Sequence, residues 1–347
     1  MKTKHIVAGL AMLVTGLTVN LNAQDASTAG GYLETVGKEF NNIQENTWDY
    51  TRSAAHGKSA RKVEKRRKEV VSANKDAMKV IGKLGPFNGS TAFRDSALSF
   101  LTINYAVLNE DYAKLVDMEE VAEQSYDLME AYMLAREKAD EKLRAAGDMI
   151  EAEYEKFAAA NNIKLIQQKD KLSKNMDIAN KVYKHYNEVY LVFFKSYKQE
   201  MYLMDAMQKN DVNGIEQNKN ALAKTAKEGL TKLAEIKPYQ NDMSIKKACE
   251  QMLKFYQEEA EKKLVNASTF YVSKENFDKI KAAFDAKPAN KREQKDVDEY
   301  NKAVNDYNKA STDFNNTNAE LNAKRSQYLE NYNKANANFT DKNVPKK

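Results

Sequence analysis

The stretch Lys62–Leu108, KVEKRRKEVVSANKDAMKVIGKLGPFNGSTAFRDSALSFLTINYAVL, decides the fold class. Val63, Val70, Ala77, Ile81 and Leu84 recur at intervals of three, four and seven residues, and so do Phe93, Ala97, Phe100, Leu101, Asn104, Tyr105 and Leu108. That spacing places each set on one face of an α-helix whose other faces are polar. Gly82, Gly85, Pro86 and Gly89 interrupt the pattern between the two sets, and Ser90 is placed to cap the second helix. A short connection between two amphipathic helices makes them antiparallel neighbours.

The rest of the chain repeats this design. Only 12 Gly and 4 Pro occur in 347 residues, a composition that favours long helices. Further breakers lie at Asn210–Gly214, at Lys237-Pro238 with Asp242 as a cap, and at Pro288–Asn290. The expected helices are 31–55, 58–83, 91–115, 119–160, 163–208, 212–236, 242–268, 273–286 and 291–338, with Gly57 kinking or splitting the first and the stretch near Gly147 ambiguous. The expected fold is all-α, with long antiparallel helices in two related bundles.

The relation between the bundles rests on a repeat. Lys83-Leu84-Gly85-Pro86-Phe87-Asn88-Gly89-Ser90 resembles Glu235-Ile236-Lys237-Pro238-Tyr239-Gln240-Asn241-Asp242 at an offset of 152 residues. Phe93 then matches Ile245, Arg94 matches Lys246, Ala97 matches Cys249, Leu101 matches Leu253, and upstream Tyr50 matches Tyr202. The expected organisation is a signal peptide over 1–23, a first helical repeat over 24–160, and a second over 161–347 that carries a long C-terminal helix. In that last helix Tyr300, Tyr307, Phe314, Leu321 and Tyr328 recur every seven residues, with Ala303, Ala310 and Thr317 beside the first three. This is the seam of an antiparallel hairpin or coiled coil, closed within the chain or by a second copy.

The N-terminal residues read as a secretory signal: Lys2 and Lys4, the apolar run Ile6–Leu17, and Leu21-Asn22-Ala23 with cleavage expected after Ala23. The run is shorter than the roughly 20 residues of a spanning helix, and no second span follows. The expected location is outside the cytoplasm, at the cell surface or in the periplasm. Cys249 is the single cysteine, so packing rather than disulfides holds the fold. Without Lys2 and Lys4, 53 basic residues face 50 acidic ones, a balance of +3 that does not point to nucleic acid.

Two features are candidate binding sites. Lys58–Lys68 holds seven basic residues and one acid, and Lys58, Arg61, Lys62 and Lys65 fall on one helical face. Such a row suits phosphate, sulfated glycan, anionic lipid or an acidic protein partner. The competing reading is pairing across the hairpin, where residues whose numbers sum to about 175 lie opposite each other. That register sets Lys65 against Glu110 and Asp111, and Lys58 against Asp117 and Glu119. The second feature is the aromatic run from Tyr183 to Tyr202, with Tyr186, Tyr190, Phe193 and Tyr197 on one stripe. It is read as the core of a central helix, or alternatively as an aromatic platform or pocket lining.

No catalytic or cofactor motif accompanies them. His56 and His185 lack the Glu three residues earlier that helical di-metal sites use. No zinc-protease, nucleophile-elbow, P-loop or dinucleotide pattern occurs, and no carboxylate pair stands out. Cys249, aligned with Ala97, reads as a core residue. No cofactor, metal or enzymatic activity is expected.

Ala55-His56-Gly57-Lys58-Ser59-Ala60-Arg61-Lys62-Val63-Glu64-Lys65-Arg66-Arg67 and Leu108-Asn109-Glu110-Asp111-Tyr112 resemble segments of a family of exported helical proteins found in Bacteroidota and in leptospires, where members are called surface proteins. The likeness covers roughly residues 45–145. It implies an envelope or surface location and carries no activity or catalytic residues. The expected function is therefore a non-enzymatic envelope or surface protein that mediates macromolecular interaction. The alternative is a periplasmic carrier of a small ligand, with an apolar pocket between the two repeats.

Overall fold

The computed structural model describes residues 17–18, 26–112, 121–167 and 171–346. The fold is all-α. The helices are α1 (Ala29–Ala55), α2 (Ala60–Gly82), α3 (Ala92–Ala106), α4 (Tyr126–Ala160), α5 (Lys171–Gln208), α6 (Val212–Glu235), α7 (Ser244–Glu258), α8 (Val265–Ala286) and α9 (Gln294–Asn343). Leu17–Thr18 pairs antiparallel with Ile166–Gln167. The rest of the predicted signal segment, and residues 113–115, 119–120 and 168–170 of the predicted helices 91–115, 119–160 and 163–208, lie outside the described residues.

Local chemistry sets the helix ends. Thr28 accepts a hydrogen bond from the Gly31 amide (3.1 Å) at the start of α1, Ser125 from Leu128 (3.2 Å) at α4, and Asp211 from Gly214 (3.0 Å) at α6. α1 stops because Gly57 turns left-handed (φ 65°), which lets the Lys58 amide reach the Ser53 carbonyl. Gly147 does not interrupt α4.

The expected break between 268 and 273 is absent. The break falls at Leu264 instead, after a π turn over Glu259–Lys263 that the Leu264 amide closes onto the Glu259 carbonyl (2.9 Å). The β-branched stretch that follows stays helical because its rings are used in packing: Phe270 stacks on Phe314 at 4.6 Å and 3°, so tertiary contact overrides a weak local preference.

The chain divides into two compact units. The first comprises residues up to Asn187 together with the segment from Ala337 onward; the second is Glu188–Asn336. The division thus falls inside α5, at 187/188 rather than at the expected 160/161, and the segment from Ala337 belongs to the first unit. The reason is length. α5 has 38 residues and α9 has 50, which makes them about 57 and 75 Å long at 1.5 Å per residue. One helix of that size carries buried stripes for more than one core.

In the first unit α1, α2, α3 and α4 pack in sequence as neighbours. Leu33, Val36, Ile81, Leu101 and Leu108 are wholly buried. Arg67 of α2 donates to the Leu108 carbonyl (2.6 Å) and Asn104 of α3 to Asn74 of α2 (2.7 Å), which fixes the α2–α3 hairpin in the predicted register. In the second unit Phe193 stacks on Tyr332 (4.0 Å), and the α8 rings Phe284, Phe277 and Phe270 stack in turn on Tyr300, Tyr307 and Phe314 of α9.

Several local structures recur at an interval of 152 residues. Phe87 and Ser90 form an antiparallel bridge, as do Tyr239 and Asp242. Each turn has two left-handed residues, Asn88 and Gly89 in one, Gln240 and Asn241 in the other. The helix after each has 15 residues and ends in a five-residue π turn, Val107–Asp111 and Glu259–Lys263. Arg94 donates to the Leu84 carbonyl (3.0 Å), and Lys246 to the Ile236 carbonyl. A Cβ at Gly89 (φ 80°) would meet nothing within 4 Å. Gly89→Ala is therefore expected to lower stability by about 1–2 kcal/mol from backbone strain alone, read as a shifted urea midpoint with an unchanged slope.

Candidate functional site

The basic segment divides into two parts. Arg66 pairs with Glu69 (2.8 Å) and Asp49 (3.3 Å), and Arg67 with Glu64 (2.8 Å). Lys68 reaches Glu64 at 3.7 Å and Lys65 reaches Glu69 at 3.8 Å. The acids are thus those of α2 and α1, not Glu110 and Asp111 across the hairpin; Asp111 pairs with Lys142 of α4 (2.9 Å). Asp117 and Glu119 lie outside the described residues.

Lys58, Arg61 and Lys62 form the other part. They are exposed and make no ion pair with a described residue. All three sit at the N-terminal end of α2, where Ser59 makes no side-chain cap and the first turn holds no acid. The positive end of the helix dipole disfavours cations by about 0.3–1 kcal/mol each. Three at one end is a local violation of helix chemistry that no acid among the described residues compensates.

The aromatic run is mostly core, and its last ring, Tyr202, is 40% exposed. Tyr190 and Phe193 are 3% and 1% exposed. Phe193 lies between Tyr197 (5.4 Å) and Tyr332, and Tyr190 stacks on Phe194 (5.5 Å). Tyr197 and Tyr186 are half-buried. Tyr186 belongs to the first unit and the other three to the second. His56 holds Asp341 through Nδ1 (2.9 Å), and the buried His185 ring lies 5.6 Å from Phe339. Cys249 is fully buried, with Sγ against the Val189 carbonyl, and burial pushes its thiol pKa up. Among the described residues no group of three or more metal-binding side chains comes together, and no helix is long and apolar enough to cross a membrane.

A carboxylate pair that composition hides does stand out in the second unit. Glu200 of α5 and Glu259 of the π turn are 1% and 2% exposed. Arg325 of α9 joins them: its Nε donates to Glu200 (2.5 Å), one Nη to Glu259 and the other to Asn322. Two carboxylates share one guanidinium, leaving one negative charge in excess. Burial first, then the neighbouring Glu200, pushes the Glu259 pKa far above the ordinary carboxylate range, against the pull of Arg325. Burial and the same two carboxylates also raise that of the enclosed Tyr256 hydroxyl. At neutral pH Glu259 therefore holds a proton, which it donates to Glu200.

A cavity of about 270 Å³ borders the triad, with Met204, Met207, Leu264 and Phe314 in its wall. The folded state keeps the Glu259 proton where the unfolded chain, with a carboxyl near 4.3, has lost it. The proton's contribution to stability is thus complete below the unfolded value and falls as pH rises toward the folded one. Between pH 5 and 7 stability is expected to fall by roughly 2 kcal/mol more in the natural chain than in Glu259→Gln, at up to about 1.4 kcal/mol per pH unit. Urea unfolding of both proteins across that range measures it.

A signal for this triad exists in the sequence. Glu259 lies seven residues after Met252 and three after Tyr256, Glu200 seven after Phe193, and Arg325 four after Leu321 and three before Tyr328. Each charge occupies a position of its helix's apolar stripe. What the spacing does not show is that the three stripes meet. Comparison of the chain with protein-family models, with curated proteins and with solved structures finds no match.

Proposed function

We propose that this is a non-enzymatic, exported protein of the cell envelope or surface that binds an anionic macromolecule through the start of α2. The observation that carries the reading is the trio Lys58, Arg61 and Lys62, exposed and without an ion pair among the described residues at a helix end that repels them, with Lys65 one turn further on. An anion there gains from the three cations and from the uncapped helix end together. Export rests on the predicted signal over 1–23, and the family likeness of residues 55–67 points to the same location. The structural recurrence at 152 residues supports descent of both units from one duplicated helical element.

Heparin serves as the probe for the binding surface. The chain is expected to be retained on immobilised heparin, with elution set by salt. Reversal of all four charges (K58E, R61E, K62E, K65E) is expected to abolish retention while changing stability little, because each side chain is exposed. Retention of the quadruple variant equal to that of the parent removes the segment from the function.

A further inference from the structure

The second unit holds a site that the binding surface on α2 does not explain. The π turns at Val107–Asp111 and Glu259–Lys263 have the same backbone form, and each begins with two buried residues. In the first turn these are Val107 and Leu108; in the second they are Glu259 and Ala260. The backbone therefore accepts an apolar side chain at this point, and a carboxylate there is not a requirement of the fold. Burying charges and satisfying them costs more than an apolar filling of the same space. π turns of this kind gather at functional positions.

Three observations converge on a ligand. Glu259 lines the cavity, is 2% exposed, and its Oε2 meets no donor among the described residues. The triad has two carboxyl groups for one guanidinium, so Glu259 can ionise only if a second cation joins it. The cavity reaches solvent beside Gln208 and Asn322, both exposed.

We propose that this cavity binds a small primary amine as its ammonium ion, with the Glu259 carboxylate as the counter-ion. The ammonium replaces the Glu259 proton, which leaves to solvent, so the count of charges in the site is unchanged. The titratable groups facing Glu259 are Glu200 from α5, Arg325 from α9, Tyr256 from α7 and Tyr271 from α8. Tyr271 is committed to the Met207 carbonyl (2.9 Å), and Arg325 to three acceptors. None of them can neutralise Glu259 further.

The walls select among cations. Calcium and magnesium take six or more oxygens, whereas the site offers two carboxyl groups already bound to a guanidinium, and no group of three His, Cys, Asp or Glu side chains comes together among the described residues. Thioethers and an aromatic ring, from Met204, Met207 and Phe314, instead suit the body of an organic cation. The volume is near the lower bound of small-molecule sites, about 300 Å³, which restricts the ligand to a monoamine with a short alkyl or aryl body. Anions are excluded by the two carboxylates.

The test is calorimetric titration of the whole chain at neutral pH with phenethylamine and with its neutral counterpart 2-phenylethanol, each in phosphate and in MOPS, two buffers that contain no primary amine and differ in their heat of protonation. Saturable binding of the amine is expected, at least about tenfold tighter than the alcohol, with a heat that differs between buffers because a proton is released. Glu259→Gln is expected to remove the buffer dependence and the preference for the amine. Met204→Trp, which fills the cavity and leaves the triad intact, is expected to remove binding with an unchanged helical spectrum. Equal affinity for amine and alcohol, no saturable heat with the amine, or undiminished amine binding by either variant overturns the proposal. If Glu259→Gln does not fold, Met204→Trp decides. Because the site is independent of α2, its failure leaves the heparin result untouched.

Discussion

Arg325→Met is expected to destabilise the protein by about 3–5 kcal/mol, measured as a loss of unfolding free energy in urea. The arginine is not valuable in itself. Its side chain is 12% exposed and holds two carboxylates that are 1% and 2% exposed. Removing it leaves Glu200 either charged in a desolvated site or forced to take up a proton, and both states are costly. The same reasoning fixes the second half of the experiment. In the double variant Arg325→Met with Glu200→Gln no uncompensated charge remains, so at least half of the lost stability should return. A single variant costing under about 1 kcal/mol would mean that water reaches the triad freely, and the buried-charge argument would fail with it. A single variant that is severe and unrelieved by Glu200→Gln would instead attribute the loss to packing of the arginine stem.

The contrast with the first unit sharpens the point. There the buried arginine Arg67 satisfies the Leu108 carbonyl and Glu64, a partially exposed acid on its own helix. That arrangement ties a hairpin together and needs no further partner. The triad of the second unit has three partners on three elements, two carboxyl groups for one guanidinium and an adjoining cavity, which is why a ligand fits there and not at Arg67.

How far the sequence led depends on the range of each interaction. The stripes of Val70, Ala77 and Ile81 and of Phe93, Ala97 and Leu101 are read within one helix, and the α2–α3 register follows from one short turn, so both were legible. The π turns were not, because a π turn adds one residue to a helix without leaving a Gly or Pro signature. The break at Leu264 was misplaced for the same reason. The aromatic run was legible as core, since a stripe holding Tyr190, Phe193 and Phe194 is too apolar to leave in water. The pairing of Lys65 departs from the hairpin register because Glu69, on its own helix, lies closer than Glu110 and Asp111 across the hairpin. The triad needed the crossing of α5, α9 and the π turn, 59 residues apart in one case and 125 in another (259 minus 200, 325 minus 200), and no periodicity reports which stripes meet.

The longest-range contacts give the second large effect. Phe339→Ala is expected to cost about 3–5 kcal/mol, although the residue lies near the end of α9 and far outside the sequence of the unit it stabilises. Phe339 and Val344 are each 1% exposed, and the ring packs on His185. Around it Asp341 holds His56, and the Lys346 carbonyl accepts from Arg52 (3.2 Å). The seven-residue seam of α9 ends at Tyr328; the next buried rings are Tyr332, four residues on, and Phe339, seven after that. On an ideal helix the step of four brings Tyr332 to within about 20° of Leu321, so the stripe stays on one face and Phe339 meets a new partner because it lies further along α9. The polar contacts are exposed or nearly so and contribute little; the phenyl ring is what the segment supplies. The expected signature is therefore local as well as large. Hydrogen exchange should speed up at the end of α1 and the start of α5, with the α8–α9 stacks unaffected. A cost below about 1 kcal/mol, within the range of ordinary surface substitutions, would show that the segment lies against the first unit without holding it. Uniform loss of protection in both units would show instead that they unfold as one, and that the division of the chain at Asn187 and Ala337 has no thermodynamic meaning.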